Sequence, residues 1–181
     1  MNVFTINGCY EIILLLLKRP MHGRGLADYL RLPLTTVQNR LHVLTREGVV
    51  DYHTEGKNKI FALKKNPVAK ANIIMAEQYK LLKLYHSYPE LQVILDEVAK
   101  QFKGMTILFG SYAKFLAKKD SDIDLYIASN ERKVKERVQQ VNSRLSVQMG
   151  MLSKTDALSQ EILQDHVIVS GVEEYYAAFP H

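Results

Sequence analysis

The spacing of apolar positions in the first 65 residues predicts a compact helical segment that ends in a β-hairpin. Proline disfavours helical geometry in the residue before it, so Pro20 ends the first helix. Thr35 is suited to the N-cap of the third helix, and Gly48 to a left-handed stop after it. The predicted elements are helices over residues 10–18, 23–30 and 35–47 and strands over residues 49–53 and 59–63.

The rest of the chain alternates helices with short strands, which is typical of an α+β fold. A long helix over residues 68–86 carries more apolar surface than a tether needs. We expect it either to pair with a second copy in a homodimer or to pack on its own domain. The other predicted elements are helices over residues 90–102, 131–144 and 155–165 and strands over residues 105–109, 145–152 and 167–170, with one more strand opening at residues 121–125.

The third predicted helix has two different faces. Val37, Leu41 and Leu44 follow one another at spacings of four and three, so they form one buried stripe. Lys57 and Lys59 flank the tip of the hairpin, where basic side chains can approach phosphates. The opposite face of the helix carries polar side chains that can reach base edges in a DNA major groove: Thr35, Gln38, Asn39, His42 and Arg46.

The net charge of +5 is confined to the first third of the chain. Residues 1–65 contain ten Lys or Arg and five Asp or Glu, whereas residues 66–181 contain 14 of each. Such asymmetry is expected when one end of a protein meets a polyanion. With the run LTTVQNRLHVLTREGVVDYH, residues 1–65 resemble the winged helix-turn-helix domains of prokaryotic transcription regulators. The resemblance implies binding to double-stranded DNA, and a protein-docking role for the winged helix is the alternative.

The composition argues against a secreted or membrane-spanning protein. Cys9 is the only cysteine, so no intramolecular disulfide can form. The most apolar run covers residues 12–17, far short of the roughly 20 residues that span a bilayer. The chain also lacks the basic start and small-residue cleavage site of a secretory signal. We therefore expect a cytoplasmic protein with no membrane partner.

A second group of residues carries candidate chemistry. Gly110 and Ser111 follow an apolar strand, and Asp122 and Asp124 open the next one. Because side chains alternate along a strand, the two aspartates point together while Ile123 points into the core. Adjacent carboxylates repel each other unless a cation lies between them, and Mg2+ prefers oxygen ligands. A glycine and a serine at a strand-to-helix turn allow the backbone and a hydroxyl to approach phosphate oxygens.

The pattern G-S-x10-D-x-D resembles the signature of the DNA polymerase beta-like nucleotidyltransferase superfamily, over residues 90–176. The resemblance implies metal-dependent transfer of a nucleoside monophosphate from a nucleoside triphosphate to a nucleophile, with Mg2+ or Mn2+ as the metal. Gly110, Ser111 and Lys114 would bind the nucleotide. Asp122 and Asp124 would bind the metal ions and carry the catalysis.

The sequence departs from that family pattern at two places. Small members often have Arg-Gly where this chain has Lys114 and Phe115, and a lysine lacks the bidentate fork of arginine. Active members also carry a third carboxylate on a later strand, but residues 145–152 contain no Asp or Glu. Gln148 is the expected occupant of that place, with Ser146 on the same face. Catalysis is therefore expected to be slow, altered or absent.

The sequence as a whole predicts an α+β protein with three parts. These are a winged helix-turn-helix over residues 1–65, a helical connector over residues 66–89, and a mixed sheet flanked by helices, with the nucleotidyltransferase fold, over residues 90–181. The favoured function is a DNA-binding transcription regulator whose last domain binds a metal-bound nucleoside triphosphate. The alternative is an active nucleotidyltransferase that transfers a nucleoside monophosphate to a protein or a small molecule, with the winged helix as a docking module. An antitoxin that modifies a partner toxin would be one form of this alternative.

Overall fold

The computed structural model describes residues 3–153 and 156–179 and divides the chain into two compact units. One unit extends to Tyr79 and the other begins at Lys80, so the division falls inside a single helix. No helix among the described residues is both long and apolar enough to cross a membrane.

The first unit is a winged helix-turn-helix, as the sequence predicts. Its three strands form one antiparallel sheet in the order β1-β3-β2. Val37, Leu41 and Leu44 of the third helix are buried, which confirms the predicted stripe. The elements are α1 (Val3–Lys18), β1 (Met21–His22), α2 (Gly23–Leu30), α3 (Leu34–Arg46), β2 (Val50–Glu55), β3 (Asn58–Leu63) and the first part of α4 (Pro67–Ser87).

Two local features of this unit differ from the expectation. The N-cap of α3 is Pro33, which supplies no side-chain hydrogen bond, so Thr35 lies inside the helix and is not its cap. The two-residue strand β1 was not predicted, because it exists only through its pairing with Phe61 and Ile60 of β3. His22 at its end also caps α2, where its Nδ1 accepts a hydrogen bond of 2.8 Å from the Gly25 amide.

The first part of α4 packs on α1 of the same unit, which is one of the two arrangements that its apolar surface allows. Ala69, Ile73 and Ala76 are buried along one face of the helix. The hydroxyl of Tyr79 donates a hydrogen bond of 3.0 Å to Oε1 of Glu11 on α1. The rings of Tyr79 and Tyr10 also lie 5.6 Å apart.

The second unit is built on a four-stranded mixed sheet with the strand order β6-β5-β4-β7. Strands β5 and β6 run parallel, and the other neighbouring pairs run antiparallel. The elements after α4 are α5 (Pro89–Gln101), β4 (Thr106–Phe109), α6 (Gly110–Ala113), β5 (Ile123–Ile127), α7 (Arg132–Gln139), β6 (Leu145–Met149), α8 (Ala157–Gln164), β7 (Val167–Ser170) and α9 (Val172–Ala178).

Both faces of this sheet are covered, because alternate residues of the central strands enter different hydrophobic clusters. Leu108 and Leu125 pack in one cluster with residues of α5 and α7. Ile107 and Tyr126 pack in the other, with Ile162 of α8 and residues of α9. The predicted α+β architecture, with a mixed sheet between helices, is confirmed.

Candidate functional site

The two aspartates lie at the start of β5. Asp122 is exposed and immediately precedes the strand, while Asp124 is half-buried within it. Ile123 and Leu125 are fully buried between and beyond them. The alternation expected from the sequence therefore holds, and the pair projects from one side of the sheet.

Gly110 brings the backbone directly against the carboxylate of Asp124. Phe109 of β4 pairs with Asp124 of β5, so Gly110 follows immediately at the same end of the two strands. Its φ is +70°, a left-handed conformation that L residues with a side chain rarely adopt. A Cβ atom at this position would collide with Oδ2 of Asp124. The glycine is thus required both by its conformation and by the close approach.

The carboxylate of Asp124 is in an environment that disfavours its charge. Partial burial raises its pKa above the ordinary value, and the nearby charges of Asp122 and Glu161 raise it further. A hydrogen bond from the hydroxyl of Ser146 opposes these effects. A divalent cation would offset the excess negative charge, and carboxylate oxygens are the ligands that Mg2+ prefers. The pair Asp122 and Asp124 therefore fits the metal that the motif implies.

Strand β6 places Ser146, not Gln148, beside the aspartates. In the parallel register Asp124 pairs with Ser146, whereas Gln148 pairs with Tyr126 one step further along. The expectation for Gln148 is therefore wrong by two residues, because the sequence does not reveal the relative shift of two strands. Within residues 3–153 and 156–179, no group of three or more His, Cys, Asp or Glu is arranged to hold a metal ion.

Glu161 is an acidic residue of this site that the sequence reasoning missed. It comes from α8, and its Oε1 lies 3.5 Å from Nζ of Lys114. The two side chains are 50% and 39% exposed, respectively. No local motif marks Glu161, because it approaches Lys114 only through the packing of α8 on the sheet.

The helix that begins at Gly110 is a single turn. Helix α6 has four residues, and Lys114 follows as its C-cap. Ser111 is half-buried in this single turn, and Phe115 adopts a left-handed conformation with φ +57°. A single turn has little helix dipole, so the groups at this turn that could contact an anion are individual ones, such as the Ser111 hydroxyl and the Lys114 ammonium group.

Arg144 fixes the loop that leads to Asp122, and no sequence motif indicates this role. Its guanidinium group donates hydrogen bonds to the carbonyl oxygen of Lys119, at 2.9 Å, and to the hydroxyl of Tyr112, at 3.2 Å. Its own carbonyl accepts a hydrogen bond of 2.8 Å from the amide of Ile123. The start of β6 therefore holds both ends of the segment on which Asp122 lies.

In the first unit, the polar side chains predicted to reach DNA lie on one exposed face of α3. Arg46 is less available for a contact with DNA than the others, because its guanidinium group lies 3.0 Å from a carboxylate oxygen of Glu47. The exposed residues of this face are Thr35, Gln38, Asn39, His42 and Arg46.

A groove of about 810 Å³ lies between this face of α3 and the hairpin of β2 and β3, which is the wing. Gln38 and His42 line it from α3, and Lys57 and Lys59 line it from the wing. The structure adds residues that the sequence reasoning omitted, among them Arg24 of α2 and Tyr52 of the wing. Nζ of Lys59 lies 4.0 Å from the centre of the Tyr52 ring, a cation–π contact that orients the lysine.

Two comparisons with known proteins found a match. Residues 91–178 match the family model described as a nucleotidyltransferase domain, so this part of the chain carries that fold. The crystal structure of the adhesin competence repressor AdcR from Streptococcus pyogenes matches at 16% identity with a TM-score of 0.37. The match covers 53% of this chain and 66% of that chain, and a similarity of this size assigns no function. No curated protein matches the chain.

Proposed function

We propose that the protein is a DNA-binding transcription regulator whose second unit binds a metal-bound nucleoside triphosphate. The observation that carries the DNA-binding part is the groove between α3 and the wing, where Gln38 and His42 face Lys57 and Lys59. Polar side chains on an exposed helix read base edges, and lysines on an adjacent wing neutralise phosphates. One surface therefore provides both kinds of contact that a duplex requires.

The nucleotide-binding part of the proposal is supported by the site at the ends of β4 and β5. Asp122 and Asp124 would hold Mg2+, or Mn2+ in its place, and the ion would offset the charge of the phosphates. Gly110 and Ser111 would lie against the triphosphate, since the glycine keeps the backbone free of a side chain at the closest point. Lys114 would contribute a positive charge to the phosphates.

The DNA-binding proposal predicts a steep dependence of affinity on salt. Each lysine that contacts a phosphate releases counterions, so Lys57→Ala or Lys59→Ala should lower the slope of log K against log salt by about one. The measurement is fluorescence anisotropy of the full chain with a labelled duplex across a range of salt concentrations. Lys133→Ala is the matched control, because Lys133 is an exposed lysine of α7 in the other unit. A wild-type slope near zero would overturn the assignment of the winged helix to DNA.

The nucleotide-binding proposal predicts that ATP binds in a Mg2+-dependent manner and that Asp124→Asn weakens this binding by at least about tenfold. The substitution keeps the shape of the side chain and removes the charge that a divalent ion requires. Isothermal titration calorimetry of both proteins, with Mg2+ or with EDTA, measures the effect. Asp120→Asn is the control, since Asp120 is exposed in the loop before β5. Equal affinities of wild type and Asp124→Asn would contradict the proposed site.

The second candidate function is nucleotidyl transfer to a protein, such as a partner toxin, or to a small molecule. It is favoured by the pair Asp122 and Asp124, because two carboxylates on one strand face could hold a metal ion against the reacting phosphates. Transfer of label from α-labelled ATP to an acceptor, lost in Asp124→Asn, would support it. DNA binding and ATP binding without any transfer would leave the regulator as the better description.

A further inference from the structure

The ion pair between Lys114 and Glu161 involves the lysine that the triphosphate would need. Nζ of Lys114 lies 3.5 Å from Oε1 of Glu161. Both side chains are partly exposed, so neither is locked in place by packing. An incoming phosphate can therefore compete with Glu161 for the lysine, and the strength of the competition depends on the charge that the phosphate brings.

The balance of charge at the site is negative. The three carboxylates of Asp122, Asp124 and Glu161 stand against the single ammonium group of Lys114, which lies beside Glu161, and the charges of Asp122 and Glu161 both raise the pKa of the Asp124 carboxyl. A metal-free triphosphate would add a further polyanion to this set. A triphosphate that carries a divalent cation brings its own compensation, because the ion can lie between the phosphates and the aspartates.

We propose that Glu161 makes the site selective for the metal-bound triphosphate over the metal-free one. This inference rests on the proposed nucleotide site and names the residue that sets its specificity. Glu161 acts in two ways: it occupies Lys114 in the absence of ligand, and it repels any phosphate whose charge is not offset. The aspartates bind the ion, and Glu161 weakens the binding of a triphosphate that lacks the ion.

The test is a calorimetric titration of the full chain with ATP in excess Mg2+ and with ATP in EDTA. Glu161→Gln should tighten binding of metal-free ATP by about fivefold, the scale of a partly exposed ion pair. The affinity for the Mg2+ complex should change by less than about twofold, because the ion already offsets the charge. The ratio of the two affinities should therefore fall in the variant.

A double variant separates the two parts of the effect. In a Lys114→Ala background, Glu161→Gln should give a smaller gain for metal-free ATP, since no lysine remains to be released. Glu90→Gln, at an exposed position in the first turn of α5, is the control for a general change of charge. Thermal melting of each variant confirms that it is folded, and Glu161→Ala provides a second substitution with the same expected direction.

The outcomes distinguish the inference from the function on which it rests. If the wild type does not bind the Mg2+ complex of ATP, the proposed nucleotide site itself is overturned. If it binds that complex, loses it in Asp124→Asn, and shows the same affinity ratio in Glu161→Gln, only the role of Glu161 is overturned. A weaker affinity of Glu161→Gln for the Mg2+ complex would instead identify Glu161 as part of the metal site.

Discussion

Replacing Gly110 with alanine is expected to destabilise the second unit and to abolish metal-dependent nucleotide binding. The left-handed conformation, with φ +70°, and the collision of the new Cβ with Oδ2 of Asp124 act together. We expect a loss of about 3 kcal/mol in the free energy of unfolding, from backbone strain plus overpacking. Chemical denaturation followed by circular dichroism measures the stability, and calorimetry with Mg2+ and ATP measures binding.

A double variant shows whether the carboxylate of Asp124 is the obstacle. Asp124→Ala in the Gly110→Ala background removes the collision but keeps the strain, so part of the lost stability should return while nucleotide binding stays absent. Gly150→Ala is the control in the same unit, because Gly150 also has a positive φ, +134°, but no atom within 4 Å of the added Cβ. Strictly additive effects of the two substitutions would mean that Asp124 does not crowd Gly110.

Replacing Gly171 with alanine should have the largest effect on stability. Gly171 lies between β7 and α9 at φ +76°, and a Cβ there would lie 2.6 Å from the Cα of Met105. The backbone of Met105, directly before β4, cannot move aside as the tip of a side chain can. The added Cβ would therefore push the end of β7 away from β4. We expect a loss of about 4 kcal/mol in the free energy of unfolding, measured by urea denaturation.

The matched control for Gly171 is Gly48→Ala. Gly48 has nearly the same φ, +73°, but nothing lies within 4 Å of the added Cβ. That substitution should cost only the strain of the left-handed conformation, about 1 kcal/mol. If both variants lost the same stability, crowding against Met105 would not contribute.

The parts of the structure that follow from local pattern were predicted from the sequence. The buried stripe on α3, the hairpin and the alternation around Asp122 and Asp124 depend on residues that are close together in the chain. The mixed sheet between helices followed from the order of the elements and the G-S-x10-D-x-D motif. Thr35 was misplaced because Pro33 can begin a helix without a side-chain cap, and element ends are the least certain feature of a sequence pattern.

The parts of the candidate site that were missed come from distant segments. Ser146 rather than Gln148 lies beside Asp124, and this depends on the register between two parallel strands, which no turn connects. Glu161 reaches Lys114 only after α8 has packed on the sheet. In the same way, Arg144 reaches the loop before Asp122 only once the strands have paired. Each of these residues looks in the sequence like an ordinary polar surface position.

Phe115 occupies a left-handed position, φ +57°, at which small nucleotidyltransferase-like proteins often have glycine. Its ring stacks on Tyr88 with centres 6.4 Å apart, which offsets part of the strain. In the unfolded chain a phenylalanine samples far fewer backbone conformations than a glycine, so less conformational entropy is lost when this turn forms. Ordering the backbone that carries Lys114 therefore costs less conformational entropy than it would with a glycine at position 115.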